Sequence, residues 1–217
     1  MLKIERYVLP SPEQWDIIIE GMRNPMNSWD KSDSVHSAWL DDEGYTHEAY
    51  GIGEADQKLM TSLANGGPVH AKYRRMIPVY LTINAPLYWW KEFDTYKVGT
   101  VANSCSTMHK IQAKPFEVAD FSQDHLLMGA YGHLCNTISA MNGYREKFLE
   151  TKNKEYWWQM IQLLPTSYNQ KRTVMLNYEV LVNIYHSRKN HKLDEWHTFC
   201  DWIRELPCSE LITGVEE

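Results

Sequence analysis

The segment Val79-Tyr80-Leu81-Thr82-Ile83 constrains the fold more than any other stretch of this chain. It is β-branched and aromatic, the composition of a strand. Asn84-Ala85-Pro86 follows and opens a helix through Trp89, Trp90 and Phe93, because proline suits the first helical turn. A single strand leaves a row of backbone N–H and C=O groups unpaired, so further strands are expected from residues 1–9 and from the segment near 98–101. The other ordered segments read as helices. Ser11-Pro12-Glu13-Gln14 is a capping-box start for a helix reaching about Arg23. Residues 54–64 place Leu59, Met60 and Leu63 on one face, and Asn65-Gly66-Gly67 ends that helix. Further helices are expected over residues 123–142, 143–151, 154–164, 171–187 and 193–206. Residues 24–53, rich in Asn, Ser, Asp and Gly, are expected to be a long irregular segment with a short helix around 34–40. The expected fold is α+β, helix-rich with a small mixed or antiparallel sheet, in one domain over 1–217.

Of the 217 residues, 43% are hydrophobic and 23% charged, enough apolar material for a substantial core. No uninterrupted apolar run is long enough to span a bilayer as a helix. Residues 1–10 carry Lys3, Glu5 and Arg6 without the apolar stretch of a secretion signal. The four cysteines, at 105, 135, 200 and 208, form no Cys-x-x-Cys pair. Reduced thiols in a cytoplasmic protein are therefore expected. A net charge of −6 argues against stable nucleic-acid binding, which needs clustered cations to displace counterions. One local cluster does exist: His70, Lys72, Arg74 and Arg75 follow a Gly-Gly-Pro turn. It reads either as a solvated basic loop or as a loop that faces a phosphate.

Other motifs narrow the chemistry. No Gly-x-Gly-x-x-Gly or Gly-x-x-x-x-Gly-Lys-[Ser/Thr] is present, so neither a Rossmann nor a P-loop nucleotide site is supported. His186, His191, His197 and Cys200 are close in sequence, but a helix break at Lys189-Asn190 separates the first two, and no metal site is assigned to them. Aromatic runs such as Tyr88-Trp89-Trp90 and Tyr156-Trp157-Trp158 fit a buried core or a subunit interface, so a homo-oligomer is expected. Asn177 and Arg188 lie eleven residues apart. On one helix they would be about 20° apart around the axis and roughly 16 Å along it. The amide offers both a donor and an acceptor, and the guanidinium a planar fork. Arg188 equally suits a helix C-terminus, where the dipole favours a cation.

Leu164-Pro165, Asn177, Asn183, Arg188 and a last helix ending at Leu206-Pro207 occur in that order, preceded by His70 and by Pro86 at a helix start. As an ordered set over residues 54–207, they resemble the flavin-dependent thymidylate synthases. The resemblance implies that family's fold and tetrameric assembly, with FAD as cofactor and NADPH and methylenetetrahydrofolate as co-substrates. It also implies one-carbon transfer to C5 of a pyrimidine nucleotide. It places His70, Lys72, Tyr96, Lys97, Asn103, Asn177 and Asn183 toward the cofactor. Glu92 and Arg188 fall toward the substrate and Cys105 at the reacting centre, and Arg74 and Arg75 of the basic cluster are expected to reach the substrate phosphate from another direction.

The family signature falls on residues 95–105, and there the sequence departs from it. Lys97 keeps a cation, Asn103 replaces a carboxylate, and Cys105 replaces a serine. Two arginines that hold phosphate in the family fall on Thr107 and Ile161, and the arginine that follows the family's first conserved Asn falls on Glu179. These departures imply altered phosphate recognition, or a nucleotide- or flavin-binding regulatory protein that kept the fold without the chemistry. Cys105 is open to two readings. It could be a thiolate activated by Lys97 or His109, or a packing residue between Ser104 and Ser106.

Overall fold

The computed structural model describes residues 1–214. In chain order the elements are β1 (Lys3–Val8), α1 (Pro12–Arg23), β2 (Val35–Leu40), β3 (Thr46–Gly51), α2 (Glu54–Asn65), β4 (Pro78–Pro86), α3 (Leu87–Phe93) and β5 (Val101–Ser104). They continue with α4 (Met128–Thr151), α5 (Lys154–Leu163), β6 (Asn169–Asn177), α6 (Tyr178–Arg188), α7 (Asp194–Arg204) and α8 (Glu210–Thr213). Four strands pair in the order β1-β4-β6-β5, and β2 pairs with β3. Helices dominate, as expected. No helix among the described residues is long and apolar enough to cross a membrane.

The chain divides into two compact units. The first comprises Met1–Arg6, Thr82–Thr95 and Ala102–Val174. Its core gathers Ile111, Phe116, Phe121, Leu134, Ile138, Met141 and Met160, with Ile161 and Trp157 packed against it. Leu134, Ile138 and Met141 share one stripe of α4 at helical spacing. Lys152, in the left-handed conformation, ends α4, and Asn153 caps α5 by accepting from the Glu155 N–H at 3.0 Å. Trp89, Trp90 and Phe93 of α3 are buried. The first N–H groups of α3, which have no helical partner, donate to the Tyr168 and Thr166 carbonyls at 3.0 Å.

The second unit comprises Tyr7–Leu81, Tyr96–Val101 and the chain from Met175 onward. Both capping-box bonds at α1 are made: Gln14 N–H donates to Ser11 Oγ at 3.3 Å and Ser11 N–H to Gln14 Oε1 at 2.9 Å. Met22, Met60, Ile77, Leu81, Tyr178, Trp196, Phe199 and Ile203 fill the core. Asp33 supplies the N-terminal cap of α2, accepting from the Ala55 and Asp56 N–H groups at 2.9 and 3.1 Å. A side chain at Gly53 would collide with Asp33, which explains a glycine there.

Three expected elements differ from the structure. Residues 34–40 are not a short helix: β2 and β3 form an antiparallel hairpin from Val35↔Gly51 to Leu40↔Thr46. Its residues are mostly exposed on both faces, so no hydrophobic alternation marks it. Its turn is built by Asp41, whose Oδ1 accepts from the Glu43 and Tyr45 N–H groups, and by Gly44 at φ +85°. Residues 169–177 form strand β6 rather than the start of a helix. Gln170, Val174 and Leu176 are the buried positions of that strand. Its polar Gln-Lys-Arg run and its Met-Leu pair are good helix formers, and sheet pairing overrides that preference. The two helices expected over 123–151 are the single helix α4, which begins only at Met128 and passes through Gly143 unbroken.

Candidate functional site

In the second unit, β6 hands over to α6 at Asn177. Its backbone is extended, and its Oδ1 accepts from the Val180 N–H at 3.1 Å, capping the helix. Asn177 is therefore not on the same helical face as Arg188; it sits at the N-terminus of a helix whose last residue is Arg188. Beside this N-terminus runs the loop carrying Tyr96, Lys97 and Gly99. Gly99 has φ +79°, and a Cβ on it would lie 3.1 Å from Val180 Cγ2 and 3.2 Å from Asn177 Nδ2. Only glycine meets both the conformation and the close approach. Lys97 is exposed, as is Asn183 on α6.

At the other end of α6, the half-buried Arg188 donates from Nε to the Tyr96 hydroxyl at 2.8 Å. Its guanidinium carbon lies 4.9 Å from the Trp196 ring centroid and 5.6 Å from that of Tyr96. Stacking and the bond to Tyr96 help fix the plane of the fork. Trp196, which sequence reasoning did not assign to the site, supplies the nearer stacking face.

The basic loop is a six-residue 3₁₀ helix, Ala71–Met76. At three residues per turn, positions i and i+3 share a side. Ala71 and Arg74 are buried, whereas Lys72 and Arg75 are exposed, along with His70 before them. Arg74 points its charge inward: Nη2 lies 2.8 Å from Glu179 Oε2, and Nη1 donates to the Leu211 carbonyl at 3.0 Å. Lys72 and Arg75 are the two cations of this helix that face solvent.

In the first unit, Asn103 lies exposed on β5, and Glu92 is half-buried on α3. Cys105 follows β5 with its backbone clamped. Its N–H donates to the Lys171 carbonyl at 2.9 Å, and its carbonyl accepts from Gln170 Nε2 at 2.9 Å. The clamp has a support that sequence reasoning missed. Gln170 Oε1 accepts from Arg172 Nε at 2.9 Å, and Arg172 Nη1 bonds Asp94 at 2.7 Å. The same guanidinium lies 4.4 Å above the Trp90 ring. The only signal available beforehand was an arginine within an otherwise helical-looking polar run. Ile161, where the resemblance places an arginine, packs against the apolar core of this unit.

The four thiols differ. Cys105 is exposed and Cys135 half-buried. Burial pushes the Cys200 thiol up to about 11 and the Cys208 thiol up to about 12. Both stay protonated and unreactive at neutral pH. A thiol-exchange reagent at pH 8 is expected to modify Cys105 first, and Cys200 and Cys208 only on unfolding. Peptide mapping after partial labelling checks the order, and early labelling of Cys200 would refute it.

No protein-family model matches the sequence, and no curated protein matches it. Solved structures do. Thymidylate synthase X from Helicobacter pylori, crystallised with FAD and dUMP, superposes at a TM-score of 0.63 and 14% identity over 98% of this chain and 95% of that chain. A second crystal structure of the Helicobacter pylori flavin-dependent enzyme, complexed with FAD and dUMP, gives 0.62 at 14% identity, covering 98% and 96%. The UMP/dUMP methylase PolB from Streptomyces cacaoi, bound with 5-Br dUMP, gives 0.63 at 10% identity, covering 98% and 94%. The fold is thus that of the flavin-dependent thymidylate synthases, as the ordered residues implied.

Proposed function

We propose that this chain binds FAD and a pyrimidine nucleotide and transfers a one-carbon unit to C5 of the base, with phosphate recognition altered from that of its structural relatives. The observation that carries this reading is the likeness over 98% of the chain to proteins crystallised with FAD and dUMP. The residues present fit a flavin dinucleotide. Lys97, Lys72, Arg75 and His70 are exposed, and they offer cations and an imidazole to a diphosphate. Asn177 and Asn183 offer amides to ring edges, and Gly99 lets the loop carrying Tyr96 and Lys97 approach the N-terminus of α6 closely. Arg188, stacked on Tyr96 and Trp196, is the proposed guanidinium for a base carbonyl or a phosphate. In the first unit, Glu92 on α3 and Asn103 on β5 are the proposed polar contacts, and Cys105 is the proposed nucleophile toward C6. Bound FAD would supply hydride, with NADPH as reductant and methylenetetrahydrofolate as one-carbon donor. The working form is a cytoplasmic homotetramer, with the exposed Leu127, Met128 and Tyr131 at the start of α4 as interface residues.

A titration followed by flavin fluorescence is expected to show saturable FAD binding that weakens about ten-fold in Lys97→Ala. No saturation at about 100 μM FAD, already a weak affinity, would remove the cofactor. A second reading, a regulatory binder without turnover, is favoured by one observation: Ile161 is committed to the core where a phosphate-holding arginine would stand. Release of the C5 hydrogen of deoxyuridylate in the presence of FAD, NADPH and methylenetetrahydrofolate separates the two. Binding without release selects the regulatory reading.

A further inference from the structure

Away from these residues, α1 and the β2–β3 hairpin bring four titratable side chains of the second unit together. Residues three apart on a helix share a face, so Glu13 and Asp16 project together from α1. In the hairpin, His36 pairs with Tyr50 and Ala38 with Glu48, so His36 and Glu48 are diagonal neighbours on one face. Trp15 stacks on Tyr50 with ring centroids 6.3 Å apart, joining the two faces. One ligand atom each from Glu13, His36 and Glu48 then falls within 4.8 Å of the others. Asp16 Oδ2 lies 3.2 Å from His36 Nδ1 and accepts a hydrogen bond from its N–H. That bond leaves Nε2 as the nitrogen with a lone pair. Nε2 is shielded from solvent, has no hydrogen-bond partner, and lies 3.6 Å from Glu48 Oε2. Ser11 Oγ donates to Glu13 Oε2 at 2.6 Å, which helps hold that carboxyl ionised, below its usual range.

A lone pair facing two carboxylates gathers acceptors that give one another no donor, Ser11 serving only Glu13. A divalent cation satisfies all three. Imidazole together with carboxylates suits a first-row ion such as Zn²⁺, and a carboxylate on the far ring nitrogen is the usual device that orients a metal-binding histidine. We propose that Glu13, His36 and Glu48 form a divalent metal site, with Asp16 as the positioning residue and the remaining coordination positions open to water. The ligands come from three elements with no motif spacing, so the sequence gives no sign of them. The site would fasten the hairpin to α1.

The test is calorimetric titration of chelator-treated full-length protein with Zn²⁺ alone, paired with thermal melts. Saturable binding is expected, with one class of site lost in His36→Ala and weakened at least ten-fold in Glu48→Gln and Glu13→Gln. Asp16→Asn is expected to weaken it by about ten-fold. His47→Ala, which removes the imidazole beside Asp41 on the same hairpin, is expected to leave it unchanged. Zn²⁺ should raise the melting temperature of the wild type but not of Glu48→Gln, whose exposed position keeps the test valid if His36→Ala does not fold. Equal binding by the wild type and Glu48→Gln, or no saturation at about 100 μM Zn²⁺, would overturn the proposal and leave His36 as a charged partner of the carboxylates.

Discussion

Replacing Asp56 by alanine is expected to cost about 3–5 kcal/mol of stability, because it strands a buried guanidinium and several donors at once. Asp56 is fully buried, and its Oδ1 accepts from Arg23 Nε at 2.5 Å. Its Oδ2 accepts from the hydroxyls of Ser32 and Ser34, both at 2.7 Å, and from the N–H groups of Asp33 and Ser34 at 3.2 and 3.1 Å. One carboxylate thus joins α1, α2 and the loop entering β2. Burial works against its charge, but the bonds from Ser32, Ser34 and Arg23 outweigh it and hold the carboxyl below its usual range. The sign follows from linkage: the folded value lies below the unfolded one, so the contribution is complete above the ordinary Asp value. It is lost as pH falls through the folded value. Urea unfolding at pH 7 and pH 3 checks both points. The gap between wild type and Asp56→Asn should narrow at pH 3, and a gap of the same size at both pH values would refute the linkage.

The two arginines of the 3₁₀ helix are expected to fail differently. Arg74→Ala leaves Glu179, whose side chain is only 15% exposed, without its counter-charge, and about 3–5 kcal/mol of stability should be lost. Lys72→Ala combined with Arg75→Ala removes only solvent-facing charge. It should leave the melting temperature within a degree or two, and on the proposed function it should weaken nucleotide binding by about ten- to a hundred-fold. Thermal melts beside nucleotide titrations of the same three proteins separate the effects. An Arg74→Ala protein of unchanged stability that no longer binds nucleotide would show that Arg74 serves the ligand.

How much of this was legible in the sequence depends on whether the signal was local. The capping box at Ser11, the strand before Pro86, the Gly66 stop and helices α5 and α7 were readable because each is specified by residues within one or two turns. The hairpin was not, since its strands bury neither face. Strand β6 was misread because its residues prefer helix in isolation and are held extended by neighbours remote in sequence. The site divides the same way. The order of His70, Asn177, Asn183 and Arg188 survives in a linear reading, yet their geometry does not: Asn177 is a helix cap rather than a point on a helical face.

The sequence by itself determined a helix-rich α+β chain and the resemblance carried by its ordered residues, because periodicity, caps and residue order belong to the linear chain. Only the tertiary structure decided which charges are available. It turned Arg74 inward to Glu179 while leaving Lys72 and Arg75 outside, and it stacked Arg188 on Trp196. It also clamped Cys105 through Gln170 and Arg172 and brought Glu13, His36 and Glu48 together. Whether a charge is free is settled by what packs against it, and those neighbours range from the next helix, as Trp196 does for Arg188, to more than a hundred residues away, as Leu211 does for Arg74.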